Sequence, residues 1–346
     1  MEVRDAPLTT PRLLPQFQME MKAFQLDQVD GVFSHLGKEL IWSPKVSTKV
    51  FTFARQSKLD FIPDFEKAFF LISNKGVIVV DCPPTIGHRV LYAIGNTTNI
   101  PVTHVVYSHH HGDHISGVTV FGDKVKTISH IETARYLEMT PDPARPVPKF
   151  TFKDHYTISL GNQTLELAYR GENHVHGNIF IYAPIQKVLM LVDVVFPGWT
   201  PFANLGVTKY VPGLMHSIDQ ILRYDFDHYI GGHVGKTGNR TDVLVQQEYM
   251  NDLKRNCAYA INLGQTNDPL YGVAALLGPT AAKNPGNSWA PFKVYLDTLA
   301  TLCANLTNEK WLGRLAAADV FQFENALTMI ESLRIDFGVL GPFVTV

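Results

Sequence analysis

The sequence predicts an α+β chain in which two packed sheets carry helices on their outer faces. Three observations predict it. Apolar runs of strand length recur between residues 68 and 192, several of them bounded by Gly, Asn or Pro. Segments with apolar residues at helical spacing are interspersed among them. After about residue 240 the texture changes to long amphipathic stretches, which predicts a helical C-terminal region over 241–346.

The elements follow in order. Residues 1–45 hold Pro7, Pro11, Pro15 and Pro44 with little periodicity, and read as an N-terminal arm with one short helix near 24–36. Two β-rich runs, 68–72 and 77–80, flank an Asn74-Lys75-Gly76 turn and form a hairpin. Asp81 ends the second strand and Pro83-Pro84 stop it. Val90, Leu91 and Ile94 share a face in a helix over 86–94. Strand 102–107 comes next, then strand 125–128 and helix 131–139. Pro141, Pro143, Pro146 and Pro148 mark a loop. Strands are expected at 156–160, 164–169, 178–182 and 188–192, and C-terminal helices at 243–260, 291–306 and 321–333. The chain thus divides into 1–45, 46–240 and 241–346.

Composition narrows the function classes. Of 346 residues 45% are hydrophobic and the formal net charge is −2, so no clustered basic face marks a nucleic-acid partner. No apolar run reaches the ~18 residues that span a bilayer, and the charged start Met1-Glu2-Val3-Arg4-Asp5 has no signal-peptide core. A small-molecule substrate, no nucleic acid, no membrane and a cytoplasmic location are the expectations. Cys82, Cys257 and Cys303 are widely spaced, which reads as three buried free thiols in a reducing compartment.

Strand 102–107 delivers the densest chemistry in the chain: His109, His110, His111, Asp113 and His114, five potential ligands in six residues. In extended backbone His109 and His111 project to one side and His110 to the other. Asp113 and His114 follow where the loop turns, and Gly112 lets it turn tightly. One loop can therefore offer two imidazoles to one ion, and a carboxylate and an imidazole to a second. Three further candidates sit at strand ends: His174, Asp193 and His233, the last flanked by Gly231, Gly232 and Gly235.

This ordered set, His109-x-His111-x-Asp113-His114 followed by His174, Asp193 and His233, resembles the metallo-β-lactamase-fold hydrolases across roughly residues 50–240. The resemblance implies an αββα sandwich with metals at one sheet edge and the added C-terminal helical region outside it. It implies one ion on His109, His111 and His174, and another on Asp113, His114 and His233. Asp193 would bridge them, with Asp81 supporting the site from behind. Two zinc ions per chain are expected, with manganese or iron as alternatives.

Metal-bound water reaches a pKa of about 7 in favourable zinc sites. The expected chemistry is therefore attack by a bridging hydroxide on an ester, lactone or lactam in a small, rather apolar substrate, as in detoxifying lactamases and lactonases. Asp113 and Asp193 would move the proton. The aromatic segment 196–210 would form the substrate wall through Phe196, Trp199, Phe202 and Tyr210, and the C-terminal helices a second wall or a homodimer face. His114 and Asp193 argue against the antibiotic-cleaving members, and Phe196 stands where many lactonases of the family carry tyrosine. Val118 weakens a thioesterase of the hydroxyacylglutathione hydrolase type. A mononuclear iron enzyme like the persulfide dioxygenases is the other alternative on this fold.

Overall fold

A computed structural model describes residues 67–342 apart from Gly235, together with the backbone of three strands, β1 (Val32–His35), β2 (Lys38–Trp42) and β3 (Lys49–Thr52). Residues 24–31 of the expected short helix lie outside the described residues. Its end is strand instead: Val32 and Phe33 suit extended backbone, and β1 pairs antiparallel with β2. The sheet therefore begins within the stretch expected as an arm.

That sheet runs β1–β8 in sequence order. It continues through β4 (Phe69–Ile72), β5 (Val77–Val80), β6 (Val102–Val106), β7 (Lys126–His130) and β8 (Phe150–Phe152). The β4–β5 hairpin is antiparallel and β5 through β8 are parallel. The parallel steps are linked by α1 (Gly87–Thr97), α2 (Gly112–Ile115) and α3 (Ile131–Met139).

A second sheet has the order β13-β12-β11-β10-β9. Its strands are β9 (His155–Leu160), β10 (Gln163–Ala168), β11 (Phe180–Ala183), β12 (Val188–Met190) and β13 (His228–Ile230).

Alternation along the strands builds three layers of core. Ile78 and Val80 pack with Leu165, Ile181, Met190 and Val192 between the sheets. Val77 and Val79 face the other way, onto Ile86, Val90 and Ile94 of the α1 region. Leu189 and Leu191 face outward from the second sheet, onto the remaining helices. Successive strand residues serve opposite faces, so fully buried strands need unbroken apolar runs, as in Val77-Ile78-Val79-Val80. The result is an αββα sandwich.

The helical C-terminal region comprises α6 (Arg240–Gly264), α7 (Val273–Lys283), α8 (Trp289–Trp311) and α9 (Ala318–Leu333). Asn239 opens α6 with a capping box to Asp242. Two shorter elements precede it, the turn α4 (Ala203–Val207) and the helix α5 (Val211–Ile221).

One expectation is corrected here. Cys257 of α6 and Cys303 of α8 form a disulfide, with a Cα–Cα separation of 4.8 Å, and Cys82 is the free, buried thiol. The two residues are 46 apart in sequence and meet only because the helices pack side by side. The bridge removes the cysteine argument for a reducing compartment. Among the described residues, no helix is long and apolar enough to cross a membrane.

Candidate metal centre

Each ligand candidate lies just past a strand or at a turn, where backbone direction is free to change. After β6, Tyr107 and Ser108 lead into the histidine loop. His109 is fully buried, His111 half-buried and His114 2% exposed. His111 is the residue before α2, so Asp113 and His114 ride on its single turn. His174 is held by Asn173, whose Oδ1 accepts from the His174 backbone N–H at 2.7 Å.

Asp193 follows the β12 run at φ 63°, and Asp81 follows β5 at φ 55°. Both are left-handed, a conformation that costs a residue with a Cβ about 1–2 kcal/mol. Strain of this kind persists where the surroundings fix it, often at functional sites.

The seven candidates form two groups, one of His109, His111, His174 and Asp193, the other of Asp113, His114 and His233; within each, candidate ligand atoms lie within 4.8 Å of one another. Asp193 connects them. Its Oδ2 is 3.4 Å from His174 Nε2, 3.6 Å from His109 Nε2 and 3.1 Å from His114 Nε2. Its Oδ1 is 3.1 Å from His233 Nε2. Asp113 Oδ2 lies 3.3 Å from His233 Nε2.

The donor set fits divalent ions. Imidazole nitrogens meet in pairs at 3.2 Å, His174 with His111 and His114 with His233. Among the described residues, the buried Nε2 of His109 has no hydrogen-bond partner. Convergent imidazole and carboxylate donors of this number suit zinc and its neighbours.

Electrostatics point the same way. Burial drives His109 well below the ordinary imidazole value and His174 to about 4, so both are neutral imidazoles at neutral pH, the form that can bind a metal. Burial also works against charge on His114 and Asp193, yet each overrides it for the other. Asp193 raises the His114 pKa well above its usual value, and the His114 imidazolium, with His233 and His174, holds the Asp193 carboxylate well below its own. The buried carboxylate thus requires cationic charge beside it, which a proton or a metal ion supplies.

Supporting contacts reach outward. Asp81 Oδ1 accepts from the Ser108 backbone N–H at 2.7 Å, and its Oδ2 lies 3.6 Å from His114 Nδ1. Ser108 Oγ is 3.0 Å from His109 Nδ1. Gly232 has φ 95°, and a Cβ there would lie 2.9 Å from Asp193 Oδ1. His110 turns away and stacks on Tyr136 at 4.3 Å. His176 pairs with Glu172 at 2.8 Å, away from the ligands.

The centre opens into a cavity of about 640 Å³. Phe196 and Phe202 line it, whereas Trp199 and Tyr210 do not. Trp199 instead packs against Phe202 at 6.2 Å, and Tyr210 is the exposed residue that precedes α5. Gly206, Val207 and Arg145 also line the cavity, although no motif in the sequence marks them. Arg145 comes from the proline-rich loop, where Asp142 binds its Nε at 2.8 Å and the His110 carbonyl accepts from Nη1 at 2.9 Å. A lone arginine among prolines carries no local signal of that placement.

Sandwich, ligand order and convergent donors define a class, and direct comparison agrees. The profile of the metallo-beta-lactamase superfamily matches residues 62–244, and the chain belongs to that superfamily. Among curated relatives, the 2,4-dinitroanisole O-demethylase subunit alpha of Nocardioides sp. (strain JS1661) is 27% identical over 172 residues, 48% of this chain and 52% of its own length. A metallo-beta-lactamase type 2 of Bacteroides fragilis is 23% identical over 150 residues, 42% of this chain and 59% of its own. The chain therefore spans little more than half the length of these relatives. A solved metallo-beta-lactamase from Pontibacter korlensis superposes with a TM-score of 0.54 at 19% identity, covering 62% of this chain and 99% of that one. That likeness is one of fold.

Proposed function

We propose that this chain is a two-metal hydrolase, with zinc as the resident ion, that opens an ester, lactone or lactam bond in a small, rather apolar molecule. The observation that carries the reading is Asp193. Its two carboxylate oxygens lie within 3.1–3.6 Å of imidazoles from both ligand groups, the arrangement a shared ligand needs. His109, His111 and His174 would hold one ion, and Asp113, His114 and His233 the other. Bound ions supply an acidified water and polarise a carbonyl oxygen.

The chain's own residues supply the rest. Asp113 is 45% exposed and lines the cavity, so its carboxylate can take up a proton at the pocket and pass it to solvent. Asp193, buried and held ionised, is the other carboxylate at the centre and fixes the spacing of the two ligand groups. Asp81 orients His114 through its Nδ1 side and ties down the loop at Ser108. Phe196, Phe202 and Val207 give the cavity an apolar lining that would exclude water from the scissile bond, and Arg145 adds a cation to it.

The test is a hydrolysis screen of metal-loaded protein on aryl esters, lactones, lactams and thioesters. The O-demethylase relative adds an aryl methyl ether to the panel. Turnover lost in His109→Ala supports the assignment. One iron per chain with oxygen uptake and no hydrolysis overturns it.

A further inference from the structure

The segment Asn204-Leu205-Gly206-Val207 runs left-handed for four consecutive residues, with φ of 58°, 54°, 69° and 59°. Three of the four carry a Cβ, and Val207 is β-branched. Such a run is unstable by itself, since left-handed residues normally occur singly. Something outside it must hold it.

Helix α9 does so. The side chain of Asn325 is fully buried. Its Oδ1 accepts from the Leu205 backbone N–H at 2.7 Å, and its Nδ2 donates to the Pro201 carbonyl at 2.8 Å. One amide therefore ties the approach to the bend, at Pro201, to its second residue, Leu205. Thr328 Oγ1, one turn along α9, meets Asn204 Oδ1 at 3.3 Å. Leu205 is fully buried in the core beneath, so the turn is pinned from below as well.

What the turn presents is the pocket. Gly206 and Val207 line the metal cavity with His111, Asp193 and His233. Val207 is 51% exposed, an apolar side chain held toward solvent space at a conformation it disfavours. Gly206 packs close over Phe196, where a Cβ would lie 2.8 Å from the ring. The helix that anchors this wall lies beyond residue 244, where the superfamily match ends.

We infer that Asn325 is a positioning residue that holds the left-handed turn 204–207 as the apolar wall of the metal pocket, and that Val207 on this wall favours substrates carrying an alkyl chain. The inference rests on the proposed metal-dependent function and assigns a role to the C-terminal helical region: it completes the substrate site.

Two readouts test it, neither of them turnover. The first is hydrogen exchange over 200–208 in wild type, Asn325→Ala and the control Ile330→Ala, a buried α9 position facing the helical core. The Leu205 amide should exchange about tenfold faster in Asn325→Ala and unchanged in Ile330→Ala, because only the first loses its acceptor. The second is binding of aceto-, butyro- and hexanohydroxamate to the zinc-loaded protein. Affinity in wild type should rise with chain length, up to about fourfold per methylene if each is fully buried.

That increment should fall toward unity in Asn325→Ala and in Val207→Gly. The latter also relieves the strained φ and so stays folded even if Asn325→Ala does not. Equal Leu205 exchange in wild type and Asn325→Ala overturns the clamp. A chain-length series unchanged by both variants overturns the wall. Zinc-loaded wild type that binds no hydroxamate at all overturns the metal-pocket reading itself, and the exchange contrast distinguishes that failure from failure of the clamp.

Discussion

Gly232 is the position where one methyl group tests the most. Its φ of 95° disfavours any residue with a Cβ, and the added carbon of Gly232→Ala would stand 2.9 Å from Asp193 Oδ1 and 3.5 Å from His114 Cε1. The backbone cost is about 1–2 kcal/mol. The contact cannot be relieved by a flexible chain end, because Asp193 is 2% exposed and surrounded by imidazoles. An ordinary contact begins near 3.4 Å, so the carboxylate must retreat by about 0.5 Å. Metal sites tolerate about 0.2 Å in ligand distances. Displacing a supported ligand typically costs about 10–100-fold in metal affinity, or about 1.4–2.8 kcal/mol.

The expected result is therefore twofold: chelator competition shows metal affinity down by about 10–100-fold, and the metal-free melting temperature falls by about 1–3 °C. If Gly232→Ala keeps wild-type metal affinity, Asp193 does not hold a metal ion.

Three further outcomes follow from the same geometry. Asp81→Ala removes the acceptor for Ser108 N–H and the carboxylate beside His114; metal affinity should drop about 10–100-fold, read by the same competition, and an unchanged value would deny Asp81 its orienting role. Acidification of the metal-free protein is the second. Burial holds the folded His174 near 4 while the unfolded imidazole titrates at 6.5, so its stabilisation is fully present above 6.5 and lost as pH falls from 6.5 to about 4. The loss is at most about 3.4 kcal/mol. His114, raised well above 6.5, contributes its slope mainly at higher pH than this window. A melting temperature that falls across it, and falls less in His174→Asn, fits; equal slopes do not. Reduction of the Cys257–Cys303 bridge, which closes a 46-residue span, should destabilise by roughly 4 kcal/mol in the chain-entropy view, seen as a lower melting temperature with reductant. No shift would mean the bridge does not form in solution.

The parts legible in the sequence are those with local signals. Val77-Ile78-Val79-Val80 reads as a buried strand because an unbroken apolar run suits a strand with a core on each face, and the helix over 131–139 coincides with α3. The histidine loop stands out because its candidates crowd into six residues after a strand. What was missed depends on packing. Helix α5 opens Val211-Pro212-Gly213, which looks like a breaker; Pro suits a first helical turn, and Gly213 is needed because a Cβ would meet the Glu172 carbonyl at 1.9 Å. Arg145 and the Cys257–Cys303 pair are joined to their partners only by tertiary contact. The left-handed turn hides because Asn204 and Gly206 hint at it while Leu205 and Val207 argue against it; Asn325, more than a hundred residues later, decides the matter.

The central claim is that Asp193 is shared by two ions. Crystals of the zinc-loaded protein, measured above and below the zinc absorption edge, test it most directly. Two anomalous peaks are expected, one among His109, His111 and His174 and one among Asp113, His114 and His233, each in contact with an Asp193 oxygen. A single peak, or two peaks of which only one touches Asp193, contradicts the account.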